Sequence, residues 1–208
     1  MSNTISLKIK ITFIKELLST ESPFKEWPNT KNPLIKEVPD NPLETKLDCT
    51  FQRTPEGEPM LWDYQIHAFI KDAAASAARL KGGDPLGFSQ VKRLIDGYVF
   101  VRPRRLVLHA HKLGVYTRHF CRTCAGGNPD LLKDILIETV PVGSWFEAEI
   151  LLRKAQMEPL MTQWLDYGET IGLGQGRRHG KGQFAWEMLE RKELSDQELL
   201  ASIRPIKT

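Results

Sequence analysis

The chain has 208 residues, 41% of them hydrophobic and 26% charged, with a formal net charge of +3. That length fits a single domain, residues 1–208, better than two very small ones, and a charge of +3 is too modest to establish nucleic-acid binding by itself. Three cysteines, an odd number, argue against a disulfide framework and for a reducing cytoplasm; no signal-like apolar segment or membrane-length run appears, so no membrane partner is expected.

Ile5, Leu7, Ile9, Ile11 and Phe13 alternate with Ser6, Lys8, Lys10 and Thr12, the pattern of a half-buried strand. Residues 20–60 carry seven prolines, from Pro23 to Pro59, in a polar stretch. They read as a long Pro-rich insertion with at most short elements, suited to a contact arm. Tyr64 to Leu80 is a helix, with Ile66, Phe69, Ile70, Ala73, Ala74 and Ala77 on one stripe. Residues 86–96 read as a shorter helix or a hairpin. Tyr98 to Val101 and Arg105 to Ala110 are strands separated by Pro103, and another short element begins at Asp130 to Leu132. Ile135 to Val140 and Trp145 to Leu152 are strands joined by Pro141-Val-Gly-Ser144, a hairpin signal. Pro159 to Tyr167 is a helix with Pro in its first turn. Gln183 to Met188 is a strand, and Ser195-Asp-Gln-Glu198 is a capping box before a short terminal helix. The order βαββαβ predicts an α+β, ferredoxin-like (RRM-like) antiparallel sheet with helices on one face.

The segment Gly172-Leu-Gly-Gln-Gly-Arg-Arg-His-Gly-Lys-Gly-Gln-Phe184 is the most informative. Gly172, Gly174, Gly176, Gly180 and Gly182 surround Arg177, Arg178, His179 and Lys181. Glycines let the backbone reach φ > 0, and a basic glycine-rich loop suits phosphate oxygens. A plain flexible turn is disfavoured by the entropy that so many glycines lose on folding. The spacing is not that of a Walker A loop, which needs GxxxxGK[ST]. Gly180-Lys-Gly-Gln-Phe-Ala185 matches GxGxxA, but a strand follows it instead of a helix, which excludes a dinucleotide fingerprint. A second basic cluster comprises Arg102, Arg104, Arg105, His109, His111 and Lys112. Trp62, Tyr64, Tyr98, Phe100 and Trp145 are available for base stacking, although an aromatic in an alternating strand usually packs in the core.

Several of these pieces together resemble the CRISPR-associated RAMP superfamily, and its backbone-subunit branch in particular. A first strand ending near Leu17-Leu18 is followed by Thr54-Pro-Glu-Gly-Glu-Pro59 ahead of a helix. "RPRRLVLHAHK" stands where the family has a basic strand, "ETVPVGSWFEAEILL" is similar to its hairpin, and "GLGQGRRHGKGQF" is similar to its C-terminal glycine-rich loop. The family's "PGSSLKG" is replaced by Trp62-Asp-Tyr-Gln-Ile-His-Ala68, so that contact surface differs, and the chain is short for a backbone subunit. The resemblance implies a ferredoxin-like fold that binds single-stranded nucleic acid, RNA before DNA, in antiviral defence. The implied contacts are Gly172, Gly174, Gly176, Arg177, Arg178, His179, Gly180, Lys181, Gly182, Arg102, Arg104 and Arg105. It also implies self-association or assembly with other CRISPR-type subunits.

Two further chemistries are weighed. His119, Cys121 and Cys124 make a CxxC with a nearby histidine, but one such pair is half a zinc site, and no metal or other cofactor is expected. The resemblance also admits a metal-independent endoribonuclease, with His67 or His179 as the acid–base group. His67 borders the apolar stripe and reads first as a boundary histidine, whereas His179 serves equally as a phosphate donor. The balance is against catalysis. The remaining alternative is an assembly or regulatory protein, a decoy of a CRISPR complex, that keeps the fold without binding nucleic acid.

Overall fold

The computed structural model describes residues 4–20, 47–80, 88–121, 132–195 and 198–199, without the side chains of 80, 88–90, 119–121 and 132–134. Four strands make the central sheet: β1 (Thr4–Phe13), β5 (Val99–Arg102), β9 (Trp145–Leu152) and β10 (Phe184–Leu194). Their order is β10-β1-β9-β5, and every neighbouring pair is antiparallel. Numbered among themselves the four strands run 4-1-3-2, the ferredoxin-like order.

The alternation in β1 explains why it lies centrally. Ile5, Leu7, Ile9, Ile11 and Phe13 are each at most 1% exposed, and each such side chain stabilises the fold by about 1.5–3 kcal/mol. They meet α1 (Asp63–Leu80) through Ile66, Phe69, Ile70, Ala73 and Ala74, and α3 (Glu158–Asp166) through Met161, Trp164 and Leu165, all in one core cluster. The expected stripe of the first helix is therefore the observed contact face. Residues 86–96 resolve to the helical alternative, α2 (Phe88–Tyr98), which packs beside α1. A register shift between Lys8 and Ile9 accommodates one extra residue of β10, Leu189.

Two three-stranded sheets extend this core. One has the order β2-β8-β7, from β2 (Leu17–Leu18), β8 (Leu132–Val140) and β7 (Gly114–Cys121). The other is β3-β4-β6, from β3 (Gln52–Arg53), β4 (Pro59–Trp62) and β6 (Arg105–Val107). Three corrections follow. The expected hairpin across Pro141–Ser144 does not form, because β8 and β9 belong to different sheets. The turn instead hands the chain from one sheet to the other. It is held by Gly143 N–H donating to Phe13 O at 2.8 Å and Phe13 N–H donating to Ser144 O at 2.9 Å. The pairing partner of β8 is β7, a strand that the sequence reading passed over. The first strand ends at Phe13, and Leu17–Leu18 pairs with Val140 and Thr139 in the neighbouring sheet.

The insertion is described in part, and that part carries only short elements, β3 and the start of β4. Residues 21–46 of the expected contact arm lie outside the described residues, but 47–60 is docked structure. Asp48 accepts from Leu136 N–H at 2.8 Å, Cys49 bridges Ile137, and Phe51 N–H donates to the buried Glu138 carboxylate at 2.8 Å. Arg53 pairs with that same carboxylate. The final strand runs on to Leu194, and the capping box forms: Glu198 N–H donates to Ser195 Oγ at 3.3 Å while Glu198 Oε2 accepts from Ser195 N–H at 2.8 Å. The helix it was expected to begin is described only at residues 198–199.

Candidate nucleic-acid interface

The glycine-rich segment leaves α3 through α4 (Gly168–Ile171), passes a single 3-10 turn at Arg177–His179 and enters β10. All five of its glycines have φ near +70°, from 70° to 73°. At Gly182 this is compounded by a close approach. A Cβ there would overlap the Leu173 carbonyl, whose N–H donates back to Gly182 O at 2.8 Å. At Gly174 a Cβ would come within 2.6 Å of the Leu18 carbonyl oxygen, so the loop is pressed onto residues 14–18. Gly182 N–H donates to Glu16 O at 2.8 Å, Ile14 N–H to Gln183 O at 2.9 Å, and Leu18 bridges Gln175. The loop is tied to residues 14–18 by these backbone hydrogen bonds, and the close approaches at Gly174 and Gly182 require glycine there.

The four basic side chains divide into two pairs. Arg177 reaches Asp72 on α1 at 2.8 Å, and Lys181 pairs with Glu16 while its Nζ stands 4.8 Å from the Tyr116 ring centre. These two are partly neutralised and hold the loop to α1 and to residues 14–18. Arg178 and His179 occupy the exposed crest of the 3-10 turn, and neither has an ion-pair or hydrogen-bond partner among the described side chains. The cationic cluster seen in sequence therefore presents Arg178 and His179 outward and uses Arg177 and Lys181 as anchors. Glu16, Asp72 and Tyr116 were not singled out in sequence. They come from distant segments, and only the pairing of β7 with β8 brings Tyr116 under the loop.

The second basic cluster is split by the fold. Arg102 ends β5 and lines a groove of about 730 Å³ on the open face of the central sheet, with Lys8, His109, Trp145, Glu147, Glu149, Glu190 and Lys192. That face is a ladder of opposite charges: Lys8 to Glu147 at 2.7 Å, Lys10 to Glu187 at 3.2 Å and Lys192 to Glu190 at 2.8 Å. The Glu147 carboxylate beside it holds the Lys8 ammonium above its usual pKa. Trp145 stacks on His109 at 4.1 Å between ring centres. Arg105 lines that groove as well, and its guanidinium carbon and that of Arg104 lie 6.0 Å and 5.8 Å from the Trp62 ring centre, near the start of α1.

His67 lies on α1 with Nδ1 3.9 Å from Asp96 of α2, and Asp96 also pairs with Lys71. It is about 140° around the helix from Asp72, the residue that meets the glycine loop. The structure thus does not bring His67 and His179 together. His119 and Cys121 lie on β7, but their side chains and the whole of Cys124 fall outside the described residues.

No protein-family profile matches this chain, and no curated protein matches it. Its fold is similar to that of a chain in a solved structure, the cryo-EM structure of the type III-B Cmr-beta bound to cognate target RNA. The TM-score is 0.58 at 12% sequence identity. The match covers 93% of this chain and 61% of the other, so this chain spans under two thirds of the length of that relative. At this identity the likeness establishes the fold alone, a ferredoxin-like arrangement. Among the described residues no helix is long and apolar enough to cross a membrane.

Proposed function

We propose that this protein binds the backbone of a single-stranded nucleic acid, RNA before DNA, at the crest of the glycine loop, without cleaving it, as a subunit of a CRISPR-type ribonucleoprotein. The observation that carries this reading is the division of the loop. Arg177 and Lys181 fasten it, and Arg178 and His179 stand exposed on a backbone that is hydrogen-bonded to residues 14–18. A preorganised donor loop binds a phosphate chain without first losing conformational entropy. The fold shared with a chain of an RNA-bound complex supports the same reading. Phosphate contacts fix position and carry no base information, so binding at the loop should be largely independent of sequence.

The direct test is to purify the protein without a nuclease step, extract any bound nucleic acid, and repeat with added labelled single strands. Co-purifying RNA, or binding of added single strands that weakens steeply with salt, is expected. Absence of both at low salt would replace this reading with that of an assembly protein that kept the fold alone.

A further inference from the structure

A second surface, at the start of α1, has the composition of a base-stacking site. Trp62 ends β4 and Tyr64 stands in the first turn of α1, with ring centres 6.3 Å apart and planes inclined by only 15°. Tyr64 is 57% exposed. Trp62 faces Arg105 across the β4–β6 pair, which is why a guanidinium lies beside the indole, and Asp63 N–H donates to Arg104 O at 3.0 Å, which fixes the turn that carries both arginines. Neither Arg104 nor Arg105 has a carboxylate within 4.0 Å among the described residues, in contrast to the lysines of the sheet face. Glu56 feels the Arg105 charge, and its pKa is lowered, chiefly by its hydrogen bond with Thr54.

We propose that Trp62, Tyr64, Arg104 and Arg105 form a nucleotide-binding platform, with a base laid on the aromatic rings and its phosphate held by the guanidinium groups. This rests on the reading of the chain as a single-strand binder. Near-parallel aromatic faces offer a base the π-surface that every nucleotide can use, and paired guanidinium groups supply charge and forked donors for phosphate. The platform is connected to the glycine loop. Gln65, next to Tyr64, lies on the same face of α1 as Asp72, the partner of Arg177, about 10 Å away along the helix axis, and residues 14–20 bridge that interval. At one end of that segment Glu16 pairs with Lys181, and at the other Thr20 Oγ1 accepts from Gln65 Nε2 at 3.1 Å. One strand laid along this track would meet phosphate donors at the loop and a stacking surface at the start of α1.

The test compares a labelled oligoadenylate with an abasic strand of the same length, by fluorescence anisotropy, on the full chain. Tyr64→Ala should weaken oligoadenylate binding roughly five- to a hundred-fold, the span of one lost stacked base, and leave abasic binding unchanged. Tyr64→Phe should restore wild-type affinity. Arg104→Ala should weaken both strands. Tyr64 is exposed, so its replacement leaves the fold intact, and Trp62→Ala serves as a second stacking variant. If Tyr64→Ala and Trp62→Ala bind oligoadenylate as wild type does, while Arg178→Ala loses affinity, the platform is overturned and the loop reading stands. If Tyr64→Ala loses affinity and Arg178→Ala does not, the platform stands without the loop. If wild type binds neither strand, both fall and the aromatic–arginine patch is a protein contact.

Discussion

The open face of the central sheet and the crest of the glycine loop are both rich in basic residues, yet they present different electrostatics. On the sheet, antiparallel register sets Lys8 and Lys10 beside Glu147 and Glu187, and the two-residue repeat of β10 sets Lys192 beside Glu190, so each of these lysines is answered at 3.2 Å or less. On the loop, Asp72 and Glu16 answer only Arg177 and Lys181, and Arg178 and His179 remain outward. The availability of a charge is decided by what the fold places opposite it, and counting basic residues along the chain does not reveal it.

Substitutions at the loop's backbone should break this contrast most strongly. Gly182→Ala should destabilise the protein by several kcal/mol, measured by urea unfolding, and abolish single-strand binding. A Cβ at φ 70° would overlap the Leu173 carbonyl, and strain of that kind adds to the roughly 1–2 kcal/mol of a left-handed non-glycine residue. Gly180→Ala should cost only about 1–2 kcal/mol, because the nearest atom to its Cβ is 3.9 Å away. Equal losses at the two positions would show that conformation alone, without close packing, shapes the loop.

Glu138→Ala should destabilise by about 1–3 kcal/mol, since it leaves the Phe51 N–H without its acceptor and Arg53 without its carboxylate. Single-strand affinity should be unchanged, which a joint unfolding and binding titration checks. Still smaller is the effect expected on the sheet face. Lys8→Ala and Lys10→Ala should each change stability by no more than about 1 kcal/mol and leave the salt dependence of binding as it was. A marked loss of affinity in either would move the interface to the sheet. The smallest effect is a titration. Hydrogen bonds from the Ser195 backbone and hydroxyl hold the Glu198 carboxyl below the usual carboxylate range. The cap's contribution is thus present above that range and is lost as pH falls through the lowered midpoint. An NMR midpoint for Glu198 at or above the ordinary glutamate value would contradict the cap.

The central strand and the two main helices were legible because local periodicity and burial coincide there: every second residue of β1 and the Ile66–Ala74 stripe enter one core. The glycine loop was legible by composition, and its conformation follows, with five glycines in the left-handed region. The hairpin at Pro141–Ser144 was misread because the same turn residues serve a hairpin and a passage between sheets. What separates the two is the grip of Phe13 on the turn, 130 residues away in sequence by the numbering of Phe13 and Gly143. Strand β7 was missed because Val115-Tyr-Thr-Arg118 lacks clean alternation, Val115 being exposed although apolar. Its β-branched and aromatic content was the available signal. The split of the loop cations into anchors and presented groups had no sequence signal, since Asp72 and Glu16 are far away along the chain.

The most direct measurement is the slope of log affinity against log salt for a single-stranded RNA, compared between wild type, Arg178→Ala and Lys10→Ala. Arg178→Ala should bind more weakly with a slope reduced by roughly 0.7, the value for one lost contact to a single strand, while Lys10→Ala matches wild type. An unchanged slope in Arg178→Ala, with a reduced one in Lys10→Ala, would contradict the assignment of the interface to the loop.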